Sequence, residues 1–468
     1  MVRRKIKEAL SLLFVYKKYF LVILIGIVIA WLGYFLRLQQ FSSFPPVNDT
    51  RDEYKYAFNG ISLIKRGVPE SWSWYDDYGK FEIKNIRGSE YRLVKPYFED
   101  PPLFGLIMGE YAISKGMDSY DKVDSGALRW PILKLGALNI FLLFILVYLV
   151  GGIFEAIIAG LIYATVPTIV LSSRLPLAEN LLVTIALFSL ILLLFYLKRK
   201  SFIVLIFIAL ISGVSVLLKQ TGVYIPAAIF FLFLSQKKYK PAIIVALCSL
   251  FFLGIWYAYG YYYNWELFLR LQGLYLGREI RLPTMIINLF DTFRISEKMM
   301  STDGIIIWGW ISIAIYSLLI KAEKAEKKLP NLLLPIMTGF YLLVFSVMSG
   351  HIKGWYRIPL YPFLSWAIAG VVIEMIKNPN FIYTFFFITI PAAASWVGGM
   401  GGSFFTSIQV KIYQLIIPTL IAPSLLFQIK FSEKLFKRLA QIIIVLVLIF
   451  IIWMNVRTIL FYQDQFWY

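Results

Sequence analysis

The chain is a succession of apolar runs, each near the length that crosses a bilayer. About thirteen of them approach the roughly 20 mostly apolar residues that a crossing needs. They are Phe20–Leu36, Pro131–Val150, Ile153–Leu171, Leu181–Leu197, Phe202–Leu218, Val223–Leu234, Ile243–Tyr262, Ile305–Ile320, Leu332–Met348, Leu360–Ile376, Phe381–Val397, Tyr413–Phe427 and Gln441–Leu460. Val223–Leu234 and Tyr413–Phe427 are the short ones. This pattern leaves little choice of fold. In lipid each backbone N–H and C=O must be satisfied within its own segment, so the runs are expected as helices. An all-α polytopic membrane protein follows, one transmembrane domain over residues 1–468. The hydrophobic share of 59% is too high for a soluble chain of this length. The first run is expected to stay in the membrane as an anchor.

The net charge is +19, which in a soluble chain would suggest nucleic acid. Here the basic residues sit in short clusters between apolar runs. With the amino end "MVRRKIKEAL" in the cytoplasm, alternation puts "LKRKS", "QKKYK", "KAEKAEKK" and "KFSEKLFKR" there too, as the positive-inside rule requires. Nucleic acid is therefore not an expected partner; membrane lipid is. The other side receives two long loops, 39–130 and 264–304, and the short loops "SSRLPLAEN", "KQTG", "GHIKGWYR" and "GGMGGSFF". The single cysteine, Cys248, lies in an apolar run, which excludes an intrachain disulfide and a cysteine metal site.

The first outer loop is too long for a simple connector. Tyr54, Ala57, Phe58, Ile61 and Ile64 form an apolar stripe at helical spacing, with Lys55, Asn59, Ser62, Lys65 and Arg66 opposite. The spacing predicts a helix lying flat at the membrane surface, ended by Gly67. A second helix is expected from "EDPPLFGLIMGEYAISKG", with Pro101 and Pro102 in its first turn. Both begin with acids: Asp49, Asp52 and Glu53 at the first, Glu99 and Asp100 at the second. Such acids can cap a helix amino end. They can equally take a proton from an attacking hydroxyl, or gather a divalent cation such as Mg or Mn through oxygen ligands, Asp52, Glu99 and Asp100 being the candidates. Asp52 and Asp49 are too close in sequence for the pattern to choose between them as the base.

The other outer loops supply cations. Arg174 and Glu179 lie in "SSRLPLAEN", Lys219 in "LLKQTG", and His351, Lys353, Tyr356 and Arg357 in "SGHIKGWYRIPLYPF". Cations converging there can clamp a phosphate. There is no phosphate-binding Gly-Lys loop, no dinucleotide-binding glycine fingerprint and no His-Glu zinc motif. Chemistry at the outer face, away from cytosolic nucleotides, is best supplied with phosphate by a lipid-borne substrate. Two other readings stay open: a lipid or sugar transporter or flippase, and a non-catalytic membrane subunit. The few acids within the apolar runs count against transport.

With these residues in place, the chain resembles the polytopic glycosyltransferases of superfamily C (the GT-C fold). It is most like the branch holding the protein O-mannosyltransferases and the aminoarabinose-to-lipid-A transferases. Asp52-Glu53 resembles that family's acid pair at the first juxtamembrane helix, and Asp100-Pro101-Pro102-Leu103 its Pro-Pro-Leu element. Arg174…Glu179 and "YRIPLYPF" (Tyr356 to Phe363) resemble two later elements. The resemblance implies a polyprenyl- or dolichyl-phosphate sugar donor, an external site and inversion at the anomeric carbon. The acceptor is left open as a lipid, a glycan or a protein hydroxyl. It also implies Asp52 as base, Glu53 in support or binding the acceptor, and Arg174, Lys353 and Arg357 on the donor phosphate. Many members carry Lys or His where this chain has Asp100; Lys95 or Lys219 would then supply the missing cation, or Glu99 and Asp100 a metal site. "SWYDDYG", Ser73 to Gly79, echoes a signature of oligosaccharyltransferase catalytic subunits, where it belongs to a soluble carboxy-terminal domain; here it reads as a coincidence of aromatic loop composition or as part of the acceptor-facing surface.

Overall fold

The computed structural model describes residues 2–45, 51–276, 304–319, 328–347, 354–392 and 407–461. Among the described residues, each of the thirteen apolar runs falls on helix. A long helix, α1 (Val2–Leu38), leads into the first loop, which carries α2 (Asp52–Arg66), three short strands and α3 (Pro102–Ser114). Then follow α4 (Ser125–Gly151), α5 (Ile153–Thr165), α6 (Pro167–Ser172), α7 (Ala178–Arg199), α8 (Phe202–Leu218), α9 (Tyr224–Ser235) and α10 (Tyr239–Leu276). The remaining described helices are α11 (Gly304–Leu319), α12 (Lys328–Val347), α13 (Tyr361–Lys377), α14 (Phe381–Ala392), α15 (Ser407–Gln428) and α16 (Glu433–Phe461). Among the described residues six helices are long and apolar enough to cross a membrane, and further apolar helices are shorter. The chain is an integral, multi-pass membrane protein, and the figure of thirteen crossings is not established by length alone.

Local chemistry explains the breaks. The run Ile153–Leu171 is two helices because Pro167 has no N–H and forces Val166 into extended backbone, φ −62° and ψ 121°. In α10, Asn264 leaves helical geometry (φ −169°, ψ 97°), and its Oδ1 accepts from Leu267 N at 3.0 Å, capping a second helical segment.

The first loop holds what the apolar pattern did not announce. Its strands β1 (Ser71–Trp72), β2 (Glu82–Ile86) and β3 (Ser89–Val94) form an antiparallel sheet in the order β1-β3-β2. The β2–β3 turn is Arg87-Gly88, both at positive φ (52° and 77°), the conformation that matches strand twist in a two-residue hairpin. The all-α expectation thus gains a small sheet. Tyr78 of "SWYDDYG" is buried, and its hydroxyl accepts from Phe98 N at 3.1 Å. That motif therefore shapes the wall of the loop.

Helix α2 corrects an expectation. Its polar face is not turned to water along its whole length. Lys55, Asn59 and Ser62 are buried; Lys65 and Arg66 alone of that face are exposed. The reason is backbone contact with α3. A Cβ on Gly60 would sit 1.9 Å from Gly105 O, and one on Gly109 2.3 Å from Gly60 C. Glycines at the crossing let the two helices touch, and so bury the face that spacing had assigned to solvent.

Candidate active site

Neither acid pair caps its helix. The position before α2 is Arg51 and that before α3 is Pro101, and no side chain caps either amino end. The acids are instead drawn into ion pairs. Glu53 is fully buried and accepts two bonds from Arg129 of α4, 2.7 Å from Nε and 2.6 Å from Nη2. Arg129 also donates to Phe41 O and Pro45 O, each at 2.7 Å. Glu53 therefore pins α2 to α4 and to the chain leaving α1, which supports Asp52 from behind.

Asp52, one residue earlier, faces the other way. Its side chain is 21% exposed, and its Oδ1 is 3.8 Å from Lys55 Nζ. Lys55 reaches on to Asp100 Oδ2 at 2.9 Å, and the Tyr97 hydroxyl donates to that same oxygen at 2.9 Å. Burial by itself would raise the Asp100 pKa; Lys55, and then Lys219, outweigh it and hold Asp100 below the ordinary carboxylate value. Glu99 lacks so close a cation. Burial pushes its carboxyl up to about 7, against the pull of Lys55, and Asp100 and Asp52 add to the rise. Its Oε1 is buried with no hydrogen-bond partner.

A second ion pair closes the far side. Lys219, at the end of α8, lies 2.5 Å from Glu179 Oε1 in the first turn of α7. Its ammonium sits 4.7 Å from the Tyr356 ring centroid. The two pairs adjoin: Tyr56 feels Asp100, Lys219, Lys55 and Glu179, and Tyr356 feels Lys219, Lys55, Glu179 and Asp52. Gln220 and Gln272 tie the wall together, Gln220 Nε2 donating to Gln272 Oε1 at 2.8 Å and Gln272 Nε2 to Phe98 O at 3.3 Å. The Tyr341 hydroxyl donates to Tyr356 O and holds the Gly354–Leu360 turn.

Of the residues singled out from the sequence, the fold thus gathers Asp52, Glu99, Asp100, Glu179, Lys219 and Tyr356. Arg357 is buried on the same turn as Tyr356. Arg174 is fully buried and donates to Leu36 O at 3.0 Å and Phe44 O at 3.2 Å, among Arg129 and Arg37. Those bonds tie it to the end of α1. Asp49, His351 and Lys353 lie outside the described residues. Lys95 is exposed. Lys55 was missed as a site residue, because its place on the polar stripe pointed to water. The signal was its spacing, three residues after Asp52 on the same helix face.

The proposed metal ligands do not fit a metal. Lys55 Nζ already lies against Asp52 and Asp100, where an ion shared by them would sit. Among the described residues no group of three His, Cys, Asp or Glu side chains is arranged to hold one.

Comparison with known proteins adds a family-model match over part of the chain. Residues 102–262 match the family model for dolichyl-phosphate-mannose-protein mannosyltransferases. The matched stretch includes Pro102, Leu103, Arg174, Glu179 and Lys219, and agrees with the resemblance carried by the motifs. No curated protein matches the chain. Among solved structures it is similar to ArnT from Cupriavidus metallidurans bound to undecaprenyl phosphate, with TM-score 0.46, 12% identity, and coverage of 93% of this chain and 77% of that one. It is also similar to the Archaeoglobus fulgidus oligosaccharyltransferase in the apo form, with TM-score 0.46, 14% identity and coverage of 91% and 56%. AglB from the same organism, in complex with an inhibitory peptide and a dolichol-phosphate, gives TM-score 0.45, 13% identity and the same coverage, 91% and 56%.

Proposed function

We propose that the chain is a membrane glycosyltransferase that moves a sugar from a polyprenyl- or dolichyl-phosphate carrier to an acceptor hydroxyl at the extracytoplasmic face. The family match to dolichyl-phosphate-mannose-protein mannosyltransferases supports the donor class. The placement of basic clusters supports the face. One observation carries the assignment of the base. Asp52 is 21% exposed, whereas Glu53 and Glu179 are 0% and Asp100 8%, each of these three in a close ion pair. Asp52 is the carboxylate of this cluster that an acceptor can reach.

In this reading Asp52 takes the proton from the acceptor hydroxyl. The oxygen attacks the anomeric carbon, the bond from that carbon to the phosphate oxygen breaks, and configuration inverts. The departing lipid phosphate carries the negative charge away from the carbon. Lys55 and Lys219, held by Asp100 and Glu179, are fixed cations for it that need no reorganisation. Arg357, on the Tyr356 turn, extends that set, and Lys353 is the further cation implied by the resemblance.

The test is transfer from a radiolabelled polyprenyl-phosphate sugar by the purified full chain in nanodiscs. Asp52→Asn is expected to lower the rate at least 10²-fold, with folding unchanged. Transfer at the wild-type rate in Asp52→Asn, with loss in Asp49→Asn, would move the base to Asp49.

A further inference from the structure

The loop next to Asp52 presents aromatic side chains to solvent. Trp74 is 61% exposed, yet it is held firmly. The buried Trp72 meets it edge-on at 5.5 Å, and the Arg51 guanidinium lies 5.5 Å from its centroid. Trp72 in turn donates from Nε1 to Arg51 O at 3.0 Å. Two links tie this ring to the site. Arg51 is bonded directly to Asp52 in the chain, and Ser73, next to Trp74, interacts through its hydroxyl with Glu99. Further along, Phe81 is 46% exposed beneath Arg92, whose guanidinium is 4.0 Å from its centroid. Arg92 also holds Asp76 at 2.7 Å, and the Asp76 side chain is 90% exposed.

Two exposed rings, each paired with a guanidinium, one of which holds an exposed carboxylate, suit one kind of guest. A pyranose has a flat C–H face that packs on an aromatic ring and a rim of hydroxyls that bond planar charged groups. A lipid surface would not favour the exposed Asp76–Arg92 pair at its centre. We propose that Trp74, with Phe81, Arg92 and Asp76, is the acceptor platform, and that the acceptor is an oligosaccharide whose terminal sugar stacks on Trp74 and offers its hydroxyl to Asp52. This rests on the glycosyl-transfer reading above and names its acceptor class.

The test separates the two. Saturation-transfer NMR on the full chain in nanodiscs, without donor lipid, would probe tetrasaccharides of mannose, glucose and N-acetylglucosamine. At least one is expected to receive saturation at its ring C–H protons. Trp74→Ala should cut that signal at least five-fold at unchanged unfolding temperature, and Trp74→Phe should restore part of it. Asp52→Asn should keep the signal while losing sugar transfer. If Asp52→Asn keeps both, the base assignment fails and the platform stands. The platform is overturned if no tetrasaccharide gives a signal, if the signal survives in Trp74→Ala, or if a Ser/Thr peptide alone gives a Trp74-dependent one.

Discussion

The Gly60–Gly105–Gly109 crossing gives the sharpest test of how the site is held. A Cβ at residue 60 would lie 1.9 Å from Gly105 O, 2.7 Å from Gly105 C and 2.8 Å from Gly109 Cα. A relaxed C···O contact is about 3.3 Å. In Gly60→Ala the helices α2 and α3 must therefore part by more than about 1 Å, since the opposing atoms are backbone and cannot swing aside. Lys55 travels with α2 and Asp100 with the start of α3. Their 2.9 Å bond would stretch past hydrogen-bond range. Overpacking of this kind costs about 1–3 kcal/mol. A misplacement of about 1 Å at reacting groups can cost about 10²-fold in rate. Thermal unfolding of the detergent-solubilised chain should thus shift down, and sugar transfer should fall by about two orders of magnitude. Gly254→Ala is the control: nothing lies within 4 Å of its Cβ, and alanine in a helix is worth up to about 1 kcal/mol over glycine. If Gly60→Ala matches wild type in both stability and rate, the close crossing does not position the site, and the reasoning fails.

Breaking the Glu53–Arg129 pair should destabilise strongly, because both side chains are 0% exposed and each variant strands a buried charge. Arg129→Met is expected to cost about 3–5 kcal/mol in denaturant unfolding; a loss under about 1 kcal/mol would show that the pair is not what pins α2. Glu99 predicts a pH dependence. Its folded pKa, about 7, is raised above the unfolded value near 4.3, so its contribution is full below pH 4.3 and is lost as pH rises to 7. Over that window wild type should lose a few kcal/mol relative to Glu99→Gln; equal pH profiles would contradict the buried, underpartnered carboxyl. Asp100 has the opposite sign, its lowered pKa giving stability that fades as pH falls below its ordinary range.

Much of the fold was legible because lipid makes backbone satisfaction a local matter. A long apolar run in a bilayer satisfies its backbone within itself as helix, so among the described residues each of the thirteen runs fell on one, and Pro167 marked its own break. Arg87-Gly88 carries a weak hairpin signal, because charged and aromatic neighbours hide the alternation of the flanking strands. What sequence alone could not decide was the direction of each charge. Spacing placed Lys55 on a solvent face, and only contact of α2 with α3 through Gly60, Gly105 and Gly109 buried it between Asp52 and Asp100. Glu53 and Asp52 are adjacent acids with the same local preferences. They part because one meets Arg129, more than seventy residues away, and the other does not. Arg174 and Lys219 both read as outer-face cations. Packing sent the first to backbone carbonyls of α1 and the second to Glu179. Hydropathy acts residue by residue along the chain, and so sequence determined which segments enter the membrane. Charge pairing acts through space between segments distant in sequence, and so only the tertiary structure decided which of those charges form a site.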